Sequence, residues 1–138
     1  MDKDEILNEL AGRSLQQRQR YASLCLRRYC EAKKISHSSV DRLLSHLDAV
    51  ETFASLSAWD AEGACLDLNG RGDPIPHELE VSIPKDERLE FRTMVDSVVE
   101  VGIVDLYGEK TALPIKFLDK VMQILERNRL PLPRLNAS

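Results

Sequence analysis

The order of apolar and polar positions along the chain predicts helices almost throughout. Ile6, Leu7 and Leu10 share one helical face within residues 2–10, and Asp2, Asp4 and Glu5 sit where a helix N-terminus favours negative charge. Gly12 interrupts this segment, and Ser14 followed three residues later by Gln17 has the form of a capping box. The helix it opens is expected over 15–34. At about 100° per residue, Leu15, Ala22, Cys25, Leu26, Tyr29 and Cys30 fall on one side, which should be buried. Arg13, Arg20, Arg27 and Lys34 recur on the opposite, wet side.

Ser36 or Ser38 is placed to cap a third helix, in which Val40, Leu43, Leu44, Leu47, Val50 and Ala54 form a single stripe. Its short connection to the preceding helix makes the two antiparallel neighbours. From residue 53 to 84 the pattern degrades. Residues 54–59 admit one further helical turn, and 63–84 reads as a long Gly/Pro-rich loop, since four of the eight residues from Asn69 to Pro76 are Gly or Pro.

Residues 86–107 are expected to form the central helix. Phe91, Met94, Val95, Val98, Val99, Val101, Ile103 and Leu106 cover an arc of roughly 200°, wider than a surface helix needs. The β-branched run 98–104 does not alternate, which argues against a strand. Gly108 is positioned to close the helix in the left-handed conformation. A last helix should start near Pro114, with Ile115, Phe117, Leu118, Val121, Met122, Ile124 and Leu125 along one side, and Pro131 and Pro133 should leave an extended tail over 130–138. These elements add up to one all-α domain over 1–138, an irregular bundle of four to five helices with one long Gly/Pro-rich loop.

Composition narrows the class. With 138 residues, 43% apolar and 30% charged, the chain suits one globular domain. No apolar run is long enough to span a membrane, and the acidic start is unlike an export signal. Three cysteines, Cys25, Cys30 and Cys65, form no disulfide framework, which points to the reducing cytoplasm. The net charge of −4 is unevenly spread: residues 13–34 carry +6 and residues 41–109 carry −11. An acidic total weighs against a duplex nucleic-acid binder, while the segregation suits steering of a partner of opposite sign.

The loop carries the sharpest chemical motif. Asp67, Asn69, Gly72 and Glu78 match the first, third, sixth and twelfth positions of an EF-hand calcium loop, with Asp73 at the seventh. Arg71 stands where an oxygen ligand belongs, and Pro74 and Pro76 disrupt the exit helix. A Gly/Pro turn accounts for the same residues. Arg71-Gly72-Asp73 is also an integrin-type tripeptide, which requires an extracellular setting that nothing else supports. Cys25, Cys30, His37, His46, Cys65 and His77 lack zinc spacing. No nucleophile elbow, phosphate loop or dinucleotide fingerprint is present.

The expected function is therefore a small cytoplasmic, non-catalytic protein that acts by binding another protein. By analogy of size and charge alone, an inhibitor or an immunity or antitoxin protein fits. Candidate partner-binding residues are Arg13, Arg20, Arg27, Lys34, Trp59, Arg71 and Asp73. No cofactor is expected, and self-association is compatible with the sequence. Two alternatives remain open: a nucleic-acid-associated regulator using the basic helix 15–34, and an enzyme whose catalytic groups are dispersed along the chain.

Overall fold

In the computed structural model, which describes residues 1–135, helices occupy every stretch with clear helical periodicity. They are α1 (Lys3–Ala11), α2 (Leu15–Lys33), α3 (Ser38–Asp48), α4 (Leu56–Ala64), α5 (His77–Ser82), α6 (Arg88–Ile103) and α7 (Leu113–Arg127), with 3-10 turns at Ala49–Glu51 and Lys85–Glu87. There is no strand among the described residues. The all-α architecture is the expected one, and Val98–Ile103 is helical. The expectation of four to five helices counts too few. Both extra helices lie where periodicity fades: α4 buries only Trp59 and Gly63, and the six-residue α5 buries only Leu79. So little apolar surface leaves no repeating stripe to read.

Local sequence explains the helix starts. Asp2 caps α1 and Ser14 caps α2, each completing a reciprocal capping box with Glu5 or Gln17. At α3 neither Ser36 nor Ser38 is the cap. His37 takes the position, its Nδ1 accepting from the Ser39 N–H at 3.1 Å. The last backbone unit of α2 is closed by Lys34 in the left-handed region (φ 57°).

The core is a seam of three helices, with α6 packed most extensively on α7 and α2. The α2–α6 pairing is antiparallel, because Gln19 reaches Val98, Tyr29 reaches Glu90 and Lys33 reaches Glu87. α3 returns antiparallel along α2, tied by Ser23 and Arg27 to Asp48. α1 closes the open side of α7, with Lys3 Nζ 2.7 Å from Asp119. Most of the wide apolar arc of α6 is used: Phe91, Met94, Val95, Val98, Val99 and Val101 are buried, while Ile103 is only partly buried and Leu106 lies beyond the end of the helix.

One polar residue enters this seam. Gln19 is completely buried and donates from Nε2 to the Val98 carbonyl at 2.9 Å. Its Oε1 lies against Gly102, where a Cβ would overlap it and press on the Trp59 ring. Glycine at 102 is thus a packing requirement, set by the close approach of α2 to α6.

α6 ends earlier than its sequence suggests. Ile103 is its last residue, Val104 follows in right-handed geometry, and Gly108 is not in the left-handed region. The chain turns instead because Asp105 accepts from both the backbone N–H (2.6 Å) and the hydroxyl (2.8 Å) of Thr111, folding the linker back toward α7. After α7 the tail is irregular through residue 135. It is anchored where Tyr21 donates to the Pro133 carbonyl at 2.8 Å and Arg28 to the Pro131 carbonyl at 2.6 Å. The remainder of the expected extended tail, 136–138, lies outside the described residues.

Replacing Gly102 with Ala tests the seam. Helix propensity alone would stabilise the protein by about 1 kcal/mol. Overpacking against Gln19 and Trp59 should reverse the sign and cost about 2 kcal/mol in urea unfolding. In a Gln19→Ala background the same substitution should cost clearly less, because the overlapping atom is gone.

Candidate functional site

Two regions gather residues capable of chemistry or recognition. The first surrounds Arg71, at the junction of α3, α4 and the loop that follows. The loop is shaped by Asn69, whose Nδ2 donates to Asp73 (2.6 Å) and whose Oδ1 accepts from the Arg71 N–H (2.9 Å). Gly70 adopts φ 65°, and a Cβ there would meet Val99 Cγ2 at 2.5 Å, so the loop presses directly on α6. This directs Arg71 inward, where it pairs with Asp60 at 2.7 Å and donates to the Asp60 carbonyl at 3.2 Å. The Tyr107 hydroxyl donates to the other side of the Asp60 carboxylate at 2.9 Å.

Below Arg71 lies His46, stacked on Trp59 with centroids 4.9 Å apart and planes 5° from parallel. Trp59 is 1% exposed and donates its indole N–H to the His46 carbonyl at 2.9 Å. It is therefore not the exposed anchor that its residue type suggests; the 53–64 segment buries its one large aromatic against α3 and α6. His46 Nδ1 is 3.2 Å from Glu62. Burial lowers the His46 pKa below its ordinary value, more than Glu62 raises it. On α6, burial raises the Asp96 and Glu100 carboxyls, and Asp96 adds to the rise at Glu100.

This cluster is closed on its Arg71 side, while on the other side Glu62 and the edge of His46 border an open depression of about 390 Å³ together with Asp41, Arg42 and Leu66. The gap among His46, Trp59, Gly63 and Arg71 holds no water-sized space. The space beside Asp96 is about 30 Å³, a volume on the scale of one water molecule.

The EF-hand candidates are likewise engaged within the chain. Asp67 accepts from Arg42 (2.6 Å), from the Ser39 hydroxyl (3.0 Å) and from the Leu68 N–H (3.0 Å). Burial disfavours the Asp67 carboxylate, but those donors outweigh it and hold its pKa below the usual value. Asn69 and Asp73 bond each other, and Glu78 is exposed in the first turn of α5. Among the described residues no group of three or more His, Cys, Asp and Glu is placed to hold a metal ion. Arg71 and Asp73 do not project together as an adhesion motif, since Arg71 turns in to Asp60.

The second region runs along the wet side of α2. A groove of about 470 Å³ lies between the first turns of α2, the end of α3 and the tail. Leu10, Tyr21 and Leu24 give it an apolar floor, and Leu135 lines the tail side. Arg13, Arg20 and Arg134 bring three guanidiniums to it, against two carboxylates from Asp48 and Glu51. A shallower depression of about 390 Å³, bounded by Ser14, Gln16, Gln17 and Glu51, adjoins it and extends the concavity toward the start of α2.

The basic stripe is thus divided. Arg27 bonds Asp48 at 2.9 Å and Lys34 is exposed beyond the end of α2, so neither lines the groove. Arg20 is 3.6 Å from Glu51 and Arg13 is 3.9 Å from Glu9, long and partly exposed ion pairs of the kind worth little in water. Arg134 and Leu135 were not foreseen as site residues. They arrive through the Tyr21–Pro133 bond, which joins positions 112 apart and has no local signature.

Compared with known proteins, the chain matches no family model, no curated protein and no solved structure. No helix among the described residues is long and apolar enough to cross a membrane.

Two titrations test the interior cluster. His46 should titrate below its ordinary value of 6.5 in proton NMR, and Glu62→Gln should move it lower still, by removing a group that favours the charged form. A depressed folded pKa means that His46 contributes stability above the unfolded value, which is lost as pH falls through the folded one. Glu100 has the opposite sign for an acid: its raised folded pKa means stability present at low pH and lost as pH rises through it. Glu100→Gln should therefore stabilise the protein at pH 7, with the gain vanishing on acidification to about pH 4. An equal gain at both pH values would place its cause outside carboxylate burial.

Proposed function

We propose that this chain is a non-catalytic binding protein that recognises another protein through the basic side of α2. The observation that carries the reading is the groove, where an apolar floor and three guanidiniums line one concavity. Binding surfaces of this composition combine hydrophobic contact with charge steering, and arginine is favoured in them. By contrast, the polar cluster around Arg71 and His46 is spent on holding the loop to α3, α4 and α6. The closed gap around Arg71, and a His46 side chain only 3% exposed to the depression beside it, favour a structural role over the alternative of a dispersed active site.

The nucleic-acid alternative is weaker for a local reason. Arg20 and Arg27 lie close to Glu51 and Asp48, so part of the stripe serves the chain's own acidic segment. Unpaired thiols at Cys25, Cys30 and the exposed Cys65 support placement in the reducing cytoplasm. An inhibitor of an enzyme or toxin remains the type of protein we favour on size and charge.

Photo-crosslinking capture from a native lysate tests this reading. The wild-type chain should retain a stoichiometric protein partner. A variant with Arg13, Arg20, Arg27 and Lys34 all changed to Ala should lose it while keeping its helical circular dichroism. A partner retained equally by both would move the binding surface away from α2.

A further inference from the structure

We infer that the groove along α2 accepts a short acidic peptide segment of the partner, anchored by an aliphatic side chain; this rests on the protein-binding reading above. Three features of the groove select that occupant. Its length runs beside a helix, continuing from the main concavity past Gln17 and Glu51 into the adjoining depression. Such a shape fits a stretch of chain better than a compact molecule. Leu24 is 41% exposed on the floor, next to the buried Leu10, and offers an apolar seat that water covers poorly. A leucine- or isoleucine-sized side chain would fill it.

Charge then sets the sign and direction of the peptide. Within the groove Arg20 lies near Glu51, Asp48 lies near Arg27, and Arg13 is paired with Glu9 of α1. Arg134 is exposed on the tail side. Planar guanidiniums bind carboxylates bidentately, so acidic residues belong at the Arg134 side. Neutral or basic residues belong beside Asp48 and Glu51. Tyr21, the aromatic of the groove, is 4% exposed with its hydroxyl held by Pro133, so it offers no open face for stacking a base. A peptide satisfies the groove where a nucleic acid does not.

The tail is part of the site in this arrangement. Tyr21 and Arg28 hold Pro133 and Pro131 by their carbonyls, which places Arg134 and Leu135 as the wall opposite α2. Proline restricts the backbone there, so the wall is preorganised and costs little ordering on binding.

Selection from a displayed library of random short peptides tests the inference on the full chain. Peptides with acidic residues flanking a leucine or isoleucine should be enriched. Their affinity should fall by about tenfold or more in Arg134→Glu and in Leu24→Asp, and stay within about twofold in Lys116→Glu, an exposed position on α7 outside the groove. Arg134 and Leu24 are both exposed, so these variants should keep the wild-type circular dichroism. No enrichment, enrichment without acids, or binding unaffected by both groove variants would overturn the inference. So would a single-stranded oligonucleotide that binds at low salt and is lost with the same two variants. If the lysate partner is lost in the four-residue stripe variant yet retained by Arg134→Glu and Leu24→Asp, the groove assignment falls while the protein-binding reading stands.

Discussion

Close approach of α2 to α6 sets the rest of the molecule. It is a steric condition before it is an energetic one: only a residue without a Cβ at position 102 lets Gln19 lie flat against α6 and Trp59 close over the same spot. The Nε2 of the buried amide then finds an acceptor in the Val98 carbonyl, which offsets part of the cost of taking a polar group out of water, while Oε1 is buried without a hydrogen-bond partner. Once that contact is made, Tyr29, Cys25 and Leu26 meet the α6 arc, and α7 covers what remains. Each fully buried aliphatic or aromatic side chain there contributes about 1.5–3 kcal/mol of transfer free energy, so the seam dominates local preferences elsewhere.

The position of the loop follows from the same seam. Val95 and Val99 leave a surface on α6 to which Gly70 fits only in a left-handed conformation, and Arg71 is turned inward by that geometry. The Arg71–Asp60 pair is mostly screened from solvent, with side chains about one-fifth exposed, and it is reinforced by Tyr107. The residues that most resemble catalytic or metal-binding equipment therefore serve as a clasp between the loop and three helices. Chemistry-bearing residue types gathered in one place are not sufficient for a site; no space opens between His46 and Arg71, and the His46 side chain is only 3% exposed beside the open depression on the Glu62 side.

The groove has the converse properties. Its residues are individually unremarkable for a wet helix face, and its ion pairs are long. What distinguishes it is enclosure by a second wall. The C-terminal tail supplies that wall because Pro133 is buried and Tyr21 holds its carbonyl. The burial that raises the Tyr21 hydroxyl's pKa also keeps this donor protonated across the physiological range. Partner recognition at the groove would thus depend on the tail remaining docked.

Helix class, the cap at Ser14, and the buried stripes of α2, α3, α6 and α7 were legible in the residue order, because each depends on neighbours within one or two turns. So was the separation of charge, which is a property of composition along the chain. Short helices with one or two buried residues escaped, as did the His37 cap, whose ring nitrogen stands in for the usual hydroxyl or carboxylate. Burial of Gln19 and Trp59, the inward turn of Arg71, and the meeting of Arg134 with Arg13 and Arg20 were decided only by tertiary structure. Each depends on which atoms from distant segments reach the same few cubic ångströms, and periodicity along a single helix carries no record of that.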